Sequence, residues 1–312
     1  MRQSKEVQFP MPWGQMAAQE WGDPSSSRKV LAVHGWMDNS NTFLKLFPLL
    51  PSNLHIVSVD LSGHGLSSHR PLGCTYTILE HAIDLKRLAD QLHWEGFALI
   101  GHSMGAMISL LLAGLFPSLI THFVSLDIIT IMNCSLKSLP EMTAMTVGSM
   151  LSFEKKQGQP PVYKDLEEVV NRRMLTTPDS LARDSAAIIM RRAIVDYQGG
   201  VVLRTDPRLK YTRTLNYSFE DQYEILKRYQ GRLLVLRATG ETHRDLKGLS
   251  YEKFVKLYEE NCREFKLVMV QGTHTVHLDE PEKVLDHIVN FLETYTGMPL
   301  SVPNGIGEHA KL

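Results

Sequence analysis

The sequence predicts an α/β fold: a mostly parallel, doubly wound sheet with a helical segment inserted after the strand ending at about residue 128. Three observations carry this expectation. Short apolar runs rich in β-branched residues alternate with stretches of helical periodicity, the pattern of a parallel sheet covered on both faces. One such run, Phe97-Ala98-Leu99-Ile100, feeds Gly101-His102-Ser103-Met104-Gly105 and then a mostly unbranched apolar stretch to Phe116, closed by Pro117. From about 130 to 228 the strand signal disappears and Pro-bounded helical pieces take over.

Taken in order, residues 5–22 alternate loosely and end at Trp21-Gly22-Asp23-Pro24-Ser25, as an opening hairpin would. Lys29–Val33 and His55–Asp60 read as core strands. Thr77–Leu92 has helical spacing of Ile78, Leu79, Ala82, Ile83, Leu85, Leu88, Ala89 and Leu92. Phe97–Ile100 is a strand and Met104–Phe116 a helix, followed by the strand Phe123–Ile129. The insertion, 130–228, reads as all-helical, with pieces at Leu166–Leu175, Ser180–Ile194 and Tyr217–Arg228. Its methionines (Met132, Met142, Met145 and Met150) suit either a pliable apolar pocket or a plain core. Leu233–Ala238 resumes the sheet, Tyr251–Glu260 is an amphipathic helix, Phe265–Val270 the last strand and Lys283–Tyr295 the final helix. The expected organisation is therefore a core of 1–129 and 229–296, an inserted cap of 130–228, and a Pro/Gly-rich tail of 297–312.

Composition narrows the function. With 33 basic and 34 acidic residues in 312, the net charge of −1 gives no field that would draw nucleic acid or an anionic membrane. No uncharged apolar run reaches 18 residues, and the N-terminal residues offer no signal-peptide apolar core. Cys74, Cys134 and Cys262 are far apart and odd in number, which reads as free thiols rather than a disulfide framework or zinc site. The histidines lack metal-ligand spacing with Cys or Glu, so no metal or organic cofactor is implied.

The chemistry centres on Ser103. A serine on a tight strand-to-helix turn needs neighbours almost free of side chains two positions either side, and Gly101 and Gly105 supply them. The Met104 N–H then stands at a helix start, where an oxyanion would form. Upstream, the strand Lys29–Val33 runs into His34-Gly35-Trp36-Met37-Asp38-Asn39. A glycine there allows close backbone approach, so the N–H of Trp36 or of Met37 is a candidate second oxyanion donor. His64, in Leu61-Ser62-Gly63-His64-Gly65, and His102 read as structural. Asp127 sits in an apolar run, where a carboxylate needs a partner or a task. A histidine in the loop Gly272–Pro281, just past a core strand, can reach a serine at the same sheet edge.

Together, His34-Gly35-Trp36, Asp60-x-x-Gly63-His64-Gly65-x-Ser67, Gly101-His102-Ser103-Met104-Gly105 and His274-x-x-His277-x-Asp279-x-Pro281 give a chain that resembles the α/β-hydrolase fold superfamily over essentially its whole length. Within it, the chain looks most like the serine hydrolase-like proteins. The resemblance implies that His274 is catalytic and His277 structural, and that the triad runs Ser, then Asp or Glu, then His. The acid stays open between Asp127 and Glu241, the first carboxylate after Leu233–Ala238, because the family's usual Gly-x-x-Asp is not intact there. Asp127 is favoured for its apolar flanks. A serine rather than an aspartate at 103 argues against epoxide hydrolase and dehalogenase chemistry.

The expected activity is cleavage of a carboxylic ester or thioester through an acyl-enzyme on Ser103 with His274 as base; the alternative is a weak or inactive hydrolase fold kept as a binding or scaffold module. The partner is a small-molecule acyl substrate. The tail ends in Ala310-Lys311-Leu312, which resembles the Ser-Lys-Leu peroxisomal address and would be read by an import receptor; the alternative location is cytoplasmic.

Overall fold

The computed structural model describes residues 3–131, 139–155, 159–176, 181–211, 217–240 and 249–298. Strands β1 (Lys5–Met11), β2 (Gly14–Trp21), β3 (Lys29–Val33), β4 (His55–Val59), β5 (Phe97–His102), β6 (Ile120–Leu126), β9 (Arg232–Ala238) and β10 (Glu264–Val270) form one sheet. Their spatial order is β1-β2-β4-β3-β5-β6-β9-β10. The β1–β2 and β2–β4 pairs are antiparallel and the other five are parallel. From β3 the chain crosses to β4 on one side and then returns to β5 on the other. The carboxyl ends of β3 and β5 therefore diverge at a topological switch point, where open α/β sheets place their ligands.

Both sheet faces are buried, as the unbroken apolar strands require. Leu31 and Val33 join α1 (Ile78–Gln91), α2 (Met104–Leu115) and α7 (Leu249–Asn261) in one cluster. Val30, Ala32 and Ile100 face Phe43, Phe47 and α9 (Glu282–Glu293) in the other. Thr77 starts α1 with a capping box, its side chain accepting from Glu80 N while Glu80 returns a bond to Thr77 N.

Between β6 and β9 lie α3 (Leu139–Lys155), α4 (Leu166–Thr176), α5 (Arg183–Ala193), β7 (Ile194–Tyr197), β8 (Gly200–Leu203) and α6 (Phe219–Leu226). The segment is thus not all-helical: β7 and β8 pair as an antiparallel hairpin. The reason is local. Gln198 and Gly199 both hold positive φ (48° and 81°), the two-residue turn that matches strand twist, and Val195, Val201 and Val202 flank it. Helix α6 packs on α2, with Leu226 in the main core cluster, so the chain returns to the core layer ahead of residue 229. Helices α4 and α5 share a small core of Val169, Val170, Leu181, Ala186, Ile189 and Met190 with β8. Helix α3 buries no residue, and Met145 is 67% exposed, so these methionines are not a core. Met132 lies outside the described residues, as do Glu241 and Ala310-Lys311-Leu312.

The inserted segment is tied to loops at the carboxyl edge of the sheet. Arg192 of α5 forms a buried ion pair with Asp60, just past β4, and reaches Glu6 on β1. Asn39 Nδ2 donates to Ile189 O and Asn41 Nδ2 to Ile188 O, both on α5. The Ala182 N–H donates to Asp279 Oδ1 in the loop-helix α8 (Val276–Asp279).

Candidate active site

Ser103 joins β5 to α2 at φ 51° and ψ −119°, outside the regions an L-residue ordinarily occupies. Its N–H donates to Leu126 O, and its carbonyl accepts from the N–H groups of Ala106 and Met107. The glycines two positions away are sterically compelled. A Cβ on Gly101 would lie 2.6 Å from Ala106 Cα, and one on Gly105 would lie 2.1 Å from the carbonyl oxygen of Val33. Both obstacles are backbone inside packed elements. Gly105→Ala is therefore expected to lower stability by about 4 kcal/mol or more, and the midpoint of thermal unfolding by at least about 6 °C. Calorimetry checks this, and an unchanged midpoint would contradict the crowding.

Asp127 directly follows β6, in the left-handed region (φ 67°), and is buried. Its N–H donates to Leu236 O and its Oδ1 accepts from Ala238 N, both on the neighbouring β9. Its Oδ2 lies 2.6 Å from His274 Nδ1. An ionised carboxylate only accepts, so Nδ1 carries the proton and Nε2 is left as the basic nitrogen. His274 stands in the loop after β10. That loop is braced by Thr273 Oγ1 and Thr275 Oγ1, which both donate to Asp279 Oδ2, and by His102 Nε2, which donates to the His274 carbonyl at 3.0 Å.

The two candidate oxyanion donors of the β3 loop part company. Met37, at φ 61°, directs its N–H to His64 Nε2 at 3.4 Å. Among the described residues the N–H groups of Trp36 and Met104 have no acceptor. His64 Nδ1–H donates to Ser62 O, which fixes its tautomer. His34 acts alike, with Nδ1–H on Gly35 O and Nε2 accepting from Leu61 N. These two histidines are buried braces of the loops around Ser103.

Comparison with known proteins places the chain in a fold family. Residues 29–156 match the family model described as alpha/beta hydrolase fold. A serine hydrolase-like protein of Danio rerio is 30% identical over 294 residues, spanning 94% of this chain and 89% of that one. The chain belongs to the α/β-hydrolase fold family. Serine hydrolase-like protein 2 of Homo sapiens is 27% identical, covering 94% of this chain and 96% of its own. Among solved structures, a hypothetical protein from Pseudomonas aeruginosa PAO1 superposes with a TM-score of 0.79 at 29% identity, over 92% of this chain and 98% of its own.

In this α/β-hydrolase the sequence-predicted Ser103, Asp127, His274, Met104 and Trp36 all lie at the carboxyl edge, at the ends of β3, β5, β6 and β10. Glu241 is outside the described residues. His277 is buried, with Nε2 3.0 Å from Thr42 Oγ1 and its ring 4.2 Å from that of His102. Sequence reasoning gave no role to Asp38 or Arg173. Asp38 is buried, its Oδ1 2.8 Å from Arg173 Nη2 and its Oδ2 3.7 Å from His102 Nδ1. Burial raises the Asp38 carboxyl, opposed by Arg173 and His274. Asp38 stood inside a recognised motif; Arg173 had no local signal at all. Among the described residues no group of three His, Cys, Asp or Glu could hold a metal, and no helix is long and apolar enough to cross a membrane.

The buried histidines make stability depend on pH. Burial pushes His34 and His122 down to about 4 and His277 to about 3, and holds His64, His81 and His102 well below the ordinary value. Below about 6.5 the unfolded chain takes up protons that the folded chain refuses, so stability falls as the pH drops. His34 alone accounts for about 3 kcal/mol between 6.5 and 4. The raised carboxyls of Asp38, Asp60 and Asp84 act in the opposite direction. With six histidines against three carboxylates, the unfolding midpoint is expected to fall steeply from pH 6.5 to 4.5. A flat calorimetric profile over that range would refute it.

Proposed function

We propose that this chain is a serine hydrolase that cleaves a carboxylic ester or thioester through an acyl-enzyme on Ser103. The observation that carries the reading is the 2.6 Å hydrogen bond between Asp127 Oδ2 and His274 Nδ1, made on loops that meet at the sheet edge bearing Ser103. It leaves Nε2 of His274 able to take a proton. Asp127 is the acid in this reading, in preference to Glu241.

Ser103 Oγ attacks the substrate carbonyl carbon while its proton passes to His274 Nε2. The C–Oγ bond forms, and the carbonyl electron pair moves onto oxygen. The N–H groups of Met104 and Trp36 hold that oxyanion. Collapse breaks the bond to the alcohol or thiol, which leaves with the Nε2 proton. Water then repeats the sequence: it gives its proton to Nε2 and attacks the acyl carbon, and Ser103 Oγ is released and reprotonated as the acid departs. Asp127 remains ionised and stabilises the imidazolium in both halves. The inserted segment, tied to the loops after β3, β4 and β10, is the cap over this edge, and the acyl group binds beneath it.

The test is covalent labelling. A fluorophosphonate incubated with the folded protein should add one phosphonyl group, found on the Ser103 peptide by tandem mass spectrometry. Folded protein that takes up no label, or takes it up elsewhere, overturns the reading.

A further inference from the structure

The loop Gly35–Asn41 is held from outside the sheet by three separate elements of the inserted segment. Trp36 Nε1 donates to Leu209 O in the short turn Pro207–Tyr211 at 3.0 Å. Asp38 Oδ1 accepts from Arg173 Nη2 of α4 at 2.8 Å. Asn39 and Asn41 donate to carbonyls of α5 at 2.9 and 2.8 Å. A plain strand-to-helix loop has no need of such ties. This one has a strained centre, with Met37 a non-glycine residue at φ 61° and the turn closed by Asp38 N–H on Gly35 O. Such a conformation persists only where its surroundings over-determine it.

Asp38 is the residue where the ties converge on the chemistry. Its carboxylate is buried between the Arg173 guanidinium and His102, whose Nδ1 is buried with no hydrogen-bond partner 3.7 Å away. There is no slack behind it. A Cβ placed on Gly35 would meet His102 Nδ1 at 2.9 Å, Ser103 Cβ at 3.2 Å and Asp38 Oδ2 at 3.3 Å. The loop and the nucleophile turn are thus in direct contact, and a shift of Asp38 moves the backbone carrying the Trp36 N–H.

We infer that Asp38 and Arg173 are positioning residues: through this ion pair the inserted segment sets the oxyanion donor of the β3 loop, besides covering the site. The inference rests on the acyl-transfer reading above. It gives the insertion a catalytic task that a cover alone lacks, because an oxyanion donor displaced by an ångström loses most of its effect on the transition state.

The experiment compares wild type with Arg173→Gln, Arg173→Lys and Asp38→Ser on p-nitrophenyl acetate and on its thiono analogue, in which sulfur replaces the carbonyl oxygen. Rates are expressed per site titrated by fluorophosphonate, with the unfolding midpoint recorded in parallel. A sulfur atom sits poorly among oxyanion donors, so loss of a donor slows the oxygen ester selectively. Arg173→Gln and Asp38→Ser should lower kcat on the oxygen ester about tenfold with KM nearly unchanged and the thiono rate little altered. Arg173→Lys should recover most of that loss.

Equal losses on both substrates, or a lower midpoint with kcat per site unchanged, would overturn the inference and leave the pair a structural tie. If Arg173→Gln does not fold, Trp36→Phe cuts another tie of the same set at a side chain 44% exposed, and the same selectivity is read. Wild-type protein that neither labels nor turns over either ester would overturn the acyl-transfer reading, and the inference with it.

Discussion

Ser103→Ala is expected to lower kcat on a p-nitrophenyl ester on the order of 10⁶-fold, the scale on which a serine–histidine couple fails when its nucleophile is removed. The size of the effect follows from the division of labour. His274 Nε2 has no Oγ proton to accept in the variant, and no acyl-enzyme can form, so water must attack the ester directly. The N–H groups of Met104 and Trp36 remain and supply the residual rate over water. The fold should survive, because the strained φ of 51° belongs to the backbone and the hydrogen bonds of Ser103 N–H and C=O are unaffected. Circular dichroism checks the fold and active-site titration the rate. A variant within tenfold of wild type would mean that the ester is cleaved elsewhere.

Asp127→Asn is expected to lower kcat about 10⁴-fold with little change in folding. The argument lies in which oxygen is already engaged. Oδ1 accepts from the Ala238 N–H at 2.9 Å, so an asparagine keeps its carbonyl oxygen there and must turn its NH₂ toward His274. The ring then presents a lone pair at Nδ1 and carries its proton on Nε2, the nitrogen that has to receive the serine proton. The imidazolium also loses its counter-charge. Glu241→Gln should stay within about threefold of wild type, because the proposed mechanism gives the acid role to Asp127. A large loss in Glu241→Gln with none in Asp127→Asn would transfer the acid role and remove the observation on which the proposed function stands.

The features legible in the sequence are those enforced over a few residues. Gly101 and Gly105 announce the strained turn at Ser103 because a Cβ at either would strike backbone within the same strand–turn–helix unit or its immediate neighbour. The alternation of strands and helices announces the parallel sheet because each strand must bury both faces. The hairpin β7–β8 is not legible at this level: two four-residue strands after a helix carry too little periodicity, and only Gln198-Gly199 marks the turn.

What only the tertiary structure decided are pairings across long separations. Asp127 meets His274 147 residues later, because β6 lies parallel beside β9 and β9 beside β10. The sequence carried the two residues but not that adjacency. Trp36 and Met37 are neighbours whose N–H groups the sequence does not distinguish until His64, 27 residues away, takes up the Met37 N–H. Arg173 carries no local pattern, since an arginine on an amphipathic helix reads as a solvated side chain. Its meaning comes from the ion pair it makes with the buried Asp38, 135 residues earlier. Local sterics write the turn at Ser103 into the sequence; hydrogen-bond partners drawn from distant strands and from the insertion appear only once the sheet has set its order.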